Sequence, residues 1–247
     1  MQYEKYLLVG CGGTGTFLLE PLVRYLLTHY RKSDKRWELF VMDGDHVEEK
    51  NLDRQLFDEA AVTANKAAAA TDKFEALNHV YAVPEYLGKD NIAENITDGS
   101  IVLIGVDNFP VRALIEAHCK TLNNVVVING GNEVSTGSCQ LWIRENGENI
   151  TPVLSFLHPE VLKPGEDRST MTCAQIAELD GGEQLITANM LSALWILSAV
   201  MQWHKAQGSD GIVKENIKWT ELQFDLDKGE SVGMDRRIIV GWNNVTN

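Results

Sequence analysis

The chain has 247 residues, 44% of them hydrophobic, and a formal charge of −13 at pH 7. That length suits one α/β domain with additions, and the charge argues against nucleic acid or an anionic membrane surface as partners, since both need clustered Lys and Arg. Four cysteines, Cys11, Cys119, Cys139 and Cys173, lie far apart without a Cys-x-x-Cys pair, so neither a zinc site nor a secreted disulfide framework is expected. The opening has no basic segment leading into an apolar core. No uncharged apolar run reaches the ~18 residues that a membrane span needs. Residues 186–203 contain Thr187, Asn189, Ser192, Ser198 and Gln202, which predicts a buried helix rather than a span. A soluble, cytoplasmic protein is expected.

In chain order, an apolar run, Leu7, Leu8 and Val9, feeds a glycine-rich turn, Gly10-Cys11-Gly12-Gly13-Thr14-Gly15. A helix follows through Phe17, Leu18, Leu22, Leu26 and Leu27. Glycine lets the backbone turn sharply and approach a ligand, while the free N–H groups and dipole of the helix start favour a phosphate. The glycines alone fit dinucleotide-binding oxidoreductases and ATP-using folds equally. Residues 31–36 read as a charged loop and 37–42 as a second strand running into Asp43-Gly44-Asp45. Residues 60–77, rich in alanine, predict a crossover helix. Residues 79–83 and 100–106 predict two more strands, the latter nearly continuous and apolar, as for a strand covered on both faces. Asp107 and Asn108 follow, and Pro110 suits the first turn of a helix reaching residue 122. Residues 125–128 form the next strand, ending in Asn129, and 137–144 another. Residues 145–182 lose periodicity, and a loop of that length is usually functional. A long helix is predicted over 183–205, then a hairpin from 217–226 and 236–242 around Asp227-Lys228-Gly229. Strands alternating with helices give an α/β fold with a mostly parallel sheet, whose ligand crevice lies at the carboxyl ends of the strands.

The region after Asp43 is dense in polar groups, and Lys66 follows on the next helix. Arg and Lys near a glycine loop neutralise a triphosphate, and a carboxylate at a neighbouring strand end can hold Mg²⁺. Here the sequence resembles the ThiF/MoeB adenylyltransferases and the related ubiquitin-activating enzymes. The resemblance rests on Gly10-x-Gly12-Gly13-x-Gly15, on Asp43-x-Asp45-x-Val47-Glu48-x-x-Asn51-Leu52-x-Arg54-Gln55, on Lys66-Ala67, and on Asp107-Asn108 with Arg112. It spans residues 6–144.

The resemblance implies a Rossmann-like sheet with helices on both faces and a C-terminal antiparallel extension. It divides one domain into a nucleotide-binding core over 1–144, a crossover loop over 145–182, and a helix and hairpin over 183–247. It implies ATP and Mg²⁺. Asp43 would bind ribose, with the glycine loop against the phosphates and Asp45, Gln55 and Asn108 beside them. Asn51, Arg54 and Lys66 would contact the phosphates, and Asp107 would hold the metal. A substrate carboxylate, the C-terminal Gly of a ubiquitin-like protein or peptide, would attack the α-phosphate. Cys173, in the crossover loop, would be the candidate acyl acceptor, and a homodimer is implied. The sequence departs from the family where an N-terminal extension with a reaching arginine and two zinc-binding Cys-x-x-Cys pairs are expected. Two further functions stay open: a nucleotide-binding scaffold without turnover and an NAD-dependent oxidoreductase, the latter supported by the glycine loop and Asp43.

Overall fold

Alternate residues of the first strand face opposite layers, so a stretch with apolar side chains on both sides must lie in the middle of a covered sheet. The structure, a computed structural model, describes residues 3–106, 108–162, 185–209 and 211–239. In it β1 (Tyr3–Val9) leads through the glycine turn into α1 (Gly13–His29), followed by β2 (Arg36–Met42), α2 (Lys66–Thr71), β3 (Val80–Val83), α3 (Ile92–Asn95), β4 (Ile101–Ile104) and α4 (Phe109–Cys119). Then come β5 (Val125–Asn132), β6 (Thr136–Glu145), β7 (Glu148–Asn149), α5 (Leu154–Leu157) and the long helix α6 (Ile186–Ala206). The chain continues through β8 (Gln207–Gly208), β9 (Gly211–Ile212), β10 (Glu221–Asp225), β11 (Glu230–Met234) and α7 (Arg236–Ile239).

The main sheet runs β11-β10-β6-β5-β4-β1-β2-β3, with β7 paired to β6. Pairing is parallel from β5 to β3 and antiparallel from β5 to β11. This is the expected Rossmann-like sheet with its antiparallel extension. Tyr6 and Leu8 join the core layer beneath α1 and α6, whereas Leu7 and Val9 join the layer beneath α3 and α4. Each fully buried Leu contributes roughly 1.5–3 kcal/mol, so these two layers fix the register of the central strands. Helix α6 is long and apolar enough to cross a membrane. Here it packs on α1, β5 and β6, burying Ala193, Ile196, Ala199 and Val200.

Four local expectations change. The crossover helix of 60–77 is broken: Thr63 has φ 79°, and α2 begins only after Asn65, whose side chain accepts from the Ala68 N–H at 3.1 Å. Flanking turns are 3₁₀. The irregular stretch from 145 contains β7, α5 and a 3₁₀ turn at Pro159–Leu162, with residues 163–184 outside the described set. The second hairpin strand is β11 rather than 236–242. The turn at Gly229, φ 67°, starts the return at once, and the pairing Asp225↔Glu230 fixes it there. Finally, α3 was not expected.

Candidate active site

The chain leaves β1 and returns on β4 to its other side, so the strand order reverses between them and opens a crevice at their carboxyl ends. Gly10 turns there with φ 92°, and a Cβ on it would lie 2.4 Å from Val106 Cγ1 in the loop after β4. Gly15 packs against the Gly10 carbonyl so closely that a Cβ would meet that oxygen at 2.2 Å. At Gly13 a Cβ would meet the Asn189 side chain at 2.4 Å. Gly12 is different. Its added Cβ would meet nothing nearer than Gln55 Nε2 at 3.7 Å, so this part of the loop is open to a ligand. Helix α1 starts there with no side-chain cap and no acidic residue in its first turn, leaving N–H donors and the positive end of the dipole for an anion.

Asp43 closes the loop from the β2 side. Its Oδ2 accepts from the Cys11 N–H at 2.6 Å and its Oδ1 from the Asp45 N–H at 2.8 Å. Burial raises the Asp43 carboxyl above its ordinary pKa, against the lowering effect of those two N–H bonds. Each oxygen keeps a lone pair for a further donor such as a sugar hydroxyl. Lys66, the first residue of α2, is only 8% exposed and places Nζ 3.0 Å from Asp45 Oδ2. Its ammonium has three N–H bonds, so it can hold Asp45 and still reach a phosphate oxygen. The Tyr86 hydroxyl donates to the other Asp45 oxygen. Burial pushes the Asp45 carboxyl up, but the Tyr86 hydroxyl and the Lys66 ammonium outweigh it, leaving a pKa below the ordinary range.

The turn carrying Asn51, Arg54 and Gln55 is tied to the first turn of α1 by the Leu56 N–H, which donates to Thr16 Oγ1 at 3.2 Å. Asn51 is buried, and its Oδ1 accepts from the Glu48 N–H at 3.0 Å, so part of this side chain shapes its own turn. Arg54 is half-buried and its guanidinium has no hydrogen bond or ion pair among the described residues. Gln55 is buried beside Gly12 with Oε1 unpartnered. Asn108 caps α4, accepting from the Val111 N–H at 3.2 Å. Asp107 and Cys173 lie outside the described residues. Thus the glycine loop, Asp43, Asp45, Gln55 and Lys66 gather at one crevice and Arg54 lies in the turn packed beside it, while Asn108 serves its helix.

The structure adds residues that sequence reasoning missed. Tyr86 lies over Gly44, where a Cβ would be 2.5 Å from Tyr86 Cδ2. Its place just beyond the carboxyl end of β3 was the available signal. Thr14 Oγ1 donates to Asn132 Oδ1 at 3.2 Å, and Asn132 Nδ2 to Asn189 Oδ1 at 3.1 Å. This chain joins the glycine loop to the end of β5 and the start of α6.

Beside the crevice lies a cavity of about 1130 Å³ over the antiparallel half of the sheet. Its inner end holds Arg112, whose Nη2 and Nε donate to the Val106 carbonyl at 2.8 and 3.2 Å. That guanidinium approaches Gly131 through Nη2, which would be 2.6 Å from a Cβ there. The described cysteines offer no nucleophile. Burial pushes the thiols of Cys11 and Cys139 far up and that of Cys119 to about 12. No group of three His, Cys, Asp or Glu suited to a metal ion occurs among the described residues.

The model of the ThiF family matches residues 2–228. A Haloferax volcanii protein described as SAMP-activating enzyme E1 is 27% identical over 182 residues, which is 72% of this chain and 62% of that protein. The Zea mays adenylyltransferase and sulfurtransferase MOCS3-1 is 35% identical over 131 residues, 51% of this chain and 26% of that protein. The chain thus spans less than two thirds of the length of these curated relatives. Among solved structures, E. coli MccB with ATP matches at a TM-score of 0.64 with 15% identity, covering 94% of this chain and 63% of that one. The microcin C7 biosynthetic enzyme MccB in complex with N-formylated MccA matches at 0.65 with 16% identity, over 94% and 64%. At that identity the likeness is one of fold.

Proposed function

Because the chain belongs to the ThiF family, we propose that it is an ATP-dependent adenylyltransferase that activates the C-terminal carboxylate of a ubiquitin-like protein or peptide as an acyl-adenylate. The observation that carries this is the crevice itself: an uncapped helix start at Gly12, with the buried Lys66 bringing positive charge beside Asp43 and Asp45, and Arg54 in the turn packed next to it. Relatives described as adenylyltransferases are 35% and 30% identical over 51% and 47% of this chain, and a protein of the same fold has been solved with ATP.

In this scheme the glycine loop and Asp43 hold the nucleotide. The substrate carboxylate, already ionised at neutral pH, attacks the α-phosphorus. A new C–O–P linkage forms, the bond to the β-phosphate oxygen breaks, and pyrophosphate leaves. Arg54 and Lys66 stabilise the charge that develops on the phosphates, which is the larger part of catalysis in such displacements. Mg²⁺ would be held by Asp107, a hard oxygen ligand suited to it, and would neutralise phosphate charge. Cys173 is assigned as the acceptor of the acyl group in a later step.

A homodimer is also proposed, supported by the exposed apolar stripe Ile186, Met190 and Leu194 on α6. The test of function is exchange of labelled pyrophosphate into ATP, dependent on a Gly-ending partner and lost in Asp107→Ala. Tight NAD binding without ATP binding would overturn it.

A further inference from the structure

The first turn of α6 meets the glycine loop. Leu185, just before the helix, donates its N–H to the Val134 carbonyl in the β5–β6 connection at 3.2 Å. Asn189, one turn on, is 1% exposed and accepts at Oδ1 from Asn132 Nδ2 at 3.1 Å, and Asn132 Oδ1 in turn accepts from the Thr14 hydroxyl at 3.2 Å. Thr14 follows Gly13, the first residue of α1. The hydrogen bonds therefore run from the loop to the end of β5 and on to α6. They close back on the loop, because the Asn189 amide lies against Gly13: a Cβ there would meet its Nδ2, Cγ and Oδ1 at 2.4, 2.6 and 2.9 Å.

Two features separate this contact from ordinary packing. Asn189 Nδ2 is buried with no hydrogen-bond partner, and a buried donor left so costs, as a rule, more than the bond at Oδ1 returns. On stability alone an alanine, with no polar group to strand and a higher helix propensity, would serve α6 better. The second feature is what the link does to Thr14. A threonine hydroxyl in the first turn of a helix competes for the free backbone N–H groups there. This one is drawn away by Asn132, and no side chain caps α1. Gly13 and Thr14 are thus held between α6 and β5 with their N–H groups left for an anion.

We propose that Asn189 is a positioning residue for the nucleotide: from α6 it holds Gly13 and Thr14 in the geometry that presents the N–H groups of the helix start to the phosphates, without itself touching them. The inference rests on the reading of the glycine loop as the phosphate cradle of the adenylation site. It places part of the ATP affinity in a helix that supplies none of the residues assigned to ATP above.

Isothermal titration of the full chain and its variants with ATP and Mg²⁺, beside thermal melts, tests this. Asn189→Ala is expected to weaken ATP binding by about fivefold or more while melting near or above the parent, since the stranded N–H leaves with the side chain. Thr14→Val, which loses the hydroxyl, should weaken binding to a similar extent, and Thr14→Ser, which keeps it, should bind as the parent does. Because the two residues act through one link, Asn189→Ala/Thr14→Val should bind little more weakly than either single variant. Ser192→Ala is the control: it removes another buried, unpartnered atom from the same helix, one that faces Gly130 rather than the loop, and should leave ATP affinity unchanged. Parental affinity in Asn189→Ala, additive losses in the double variant, or an equal loss in Ser192→Ala overturns the inference. Should Asn189→Ala fail to fold, the Thr14 pair decides, and equal affinities of Thr14→Val and Thr14→Ser overturn it. Variants that rank as expected in a chain that exchanges no pyrophosphate leave the positioning role intact and count against the adenylation chemistry instead.

Discussion

Replacing Gly12 and Gly15 separately by alanine divides the glycine loop into a part that packs and a part that binds. At Gly15 the new Cβ would sit 2.2 Å from the Gly10 carbonyl oxygen, roughly 1 Å inside contact, and that oxygen belongs to the backbone and cannot swing aside as a side chain would. Overpacking of that kind costs about 1–3 kcal/mol. For a chain of this size that is a fall in melting temperature of roughly 2–12 °C, at 2–4 °C per kcal/mol. At Gly12 the nearest atom is 3.7 Å away, an ordinary contact, with the backbone at φ −91° and ψ −140°. Its alanine variant therefore meets no clash and should melt closer to the parent than Gly15→Ala does. The methyl group does stand where a phosphate would approach, so ATP affinity should fall at least tenfold. Thermal melts and isothermal titration with ATP measure both. A Gly12→Ala protein that binds ATP normally refutes the placement of the phosphates. A Gly15→Ala protein as stable as the parent refutes the packing argument.

Lys66→Ala removes a cation from beside Asp45 and from the phosphates, and should lower the exchange rate by about 10²–10³ while moving the melting temperature little; an unchanged rate would assign Lys66 to structure alone. Stability should also depend on pH through His204. Burial, with His29 stacked at 3.9 Å, depresses its pKa to about 3. The neutral ring is held by donors in sequence: Tyr25 to Nδ1, Nε2–H to Tyr6, Tyr6 to Tyr30, and Tyr30 to Glu4. Its unfolded form takes up a proton below ~6.5, so this stability is complete above that pH and is lost as pH falls, at up to about 1.4 kcal/mol per unit. Glu221, depressed to about 2, loses its own contribution only below the unfolded value of ~4.5. Denaturant titrations between pH 6.5 and 5 therefore read His204 together with its stacked neighbour His29, whose pKa burial also lowers, and His204→Gln should reduce the slope there; an unchanged slope places the effect elsewhere. His158 has the opposite sign. Its pKa is raised, chiefly by the hydrogen bond to Glu221, so its contribution is present below ~6.5 and fades as pH rises through the raised value.

The parts of the site legible in the sequence are those that local chemistry dictates. Only glycine accommodates φ 92° at position 10 and the contact at position 15, so the loop announces itself. Asp43, Arg54 and Lys66 follow at spacings set by short turns. What stayed hidden depends on register or on distant partners. The β11 edge, Glu-Ser-Val-Gly-Met, is too polar to stand out as a strand and is placed by its pairing with β10. The cavity is assembled from four strands, with Asn129 and Glu230 about a hundred residues apart in the chain. Asn189 reaches the glycine loop from the far helix, and on that helix it reads as one more polar residue.

The most direct test supplies ATP and a Gly-ending partner whose terminal carboxylate is labelled with ¹⁸O, then identifies the products after an added thiol takes the acyl group. Attack at the α-phosphorus yields pyrophosphate and AMP carrying one ¹⁸O. ADP with the label in inorganic phosphate, or no label transfer at all, contradicts the assignment of this crevice to carboxylate adenylation.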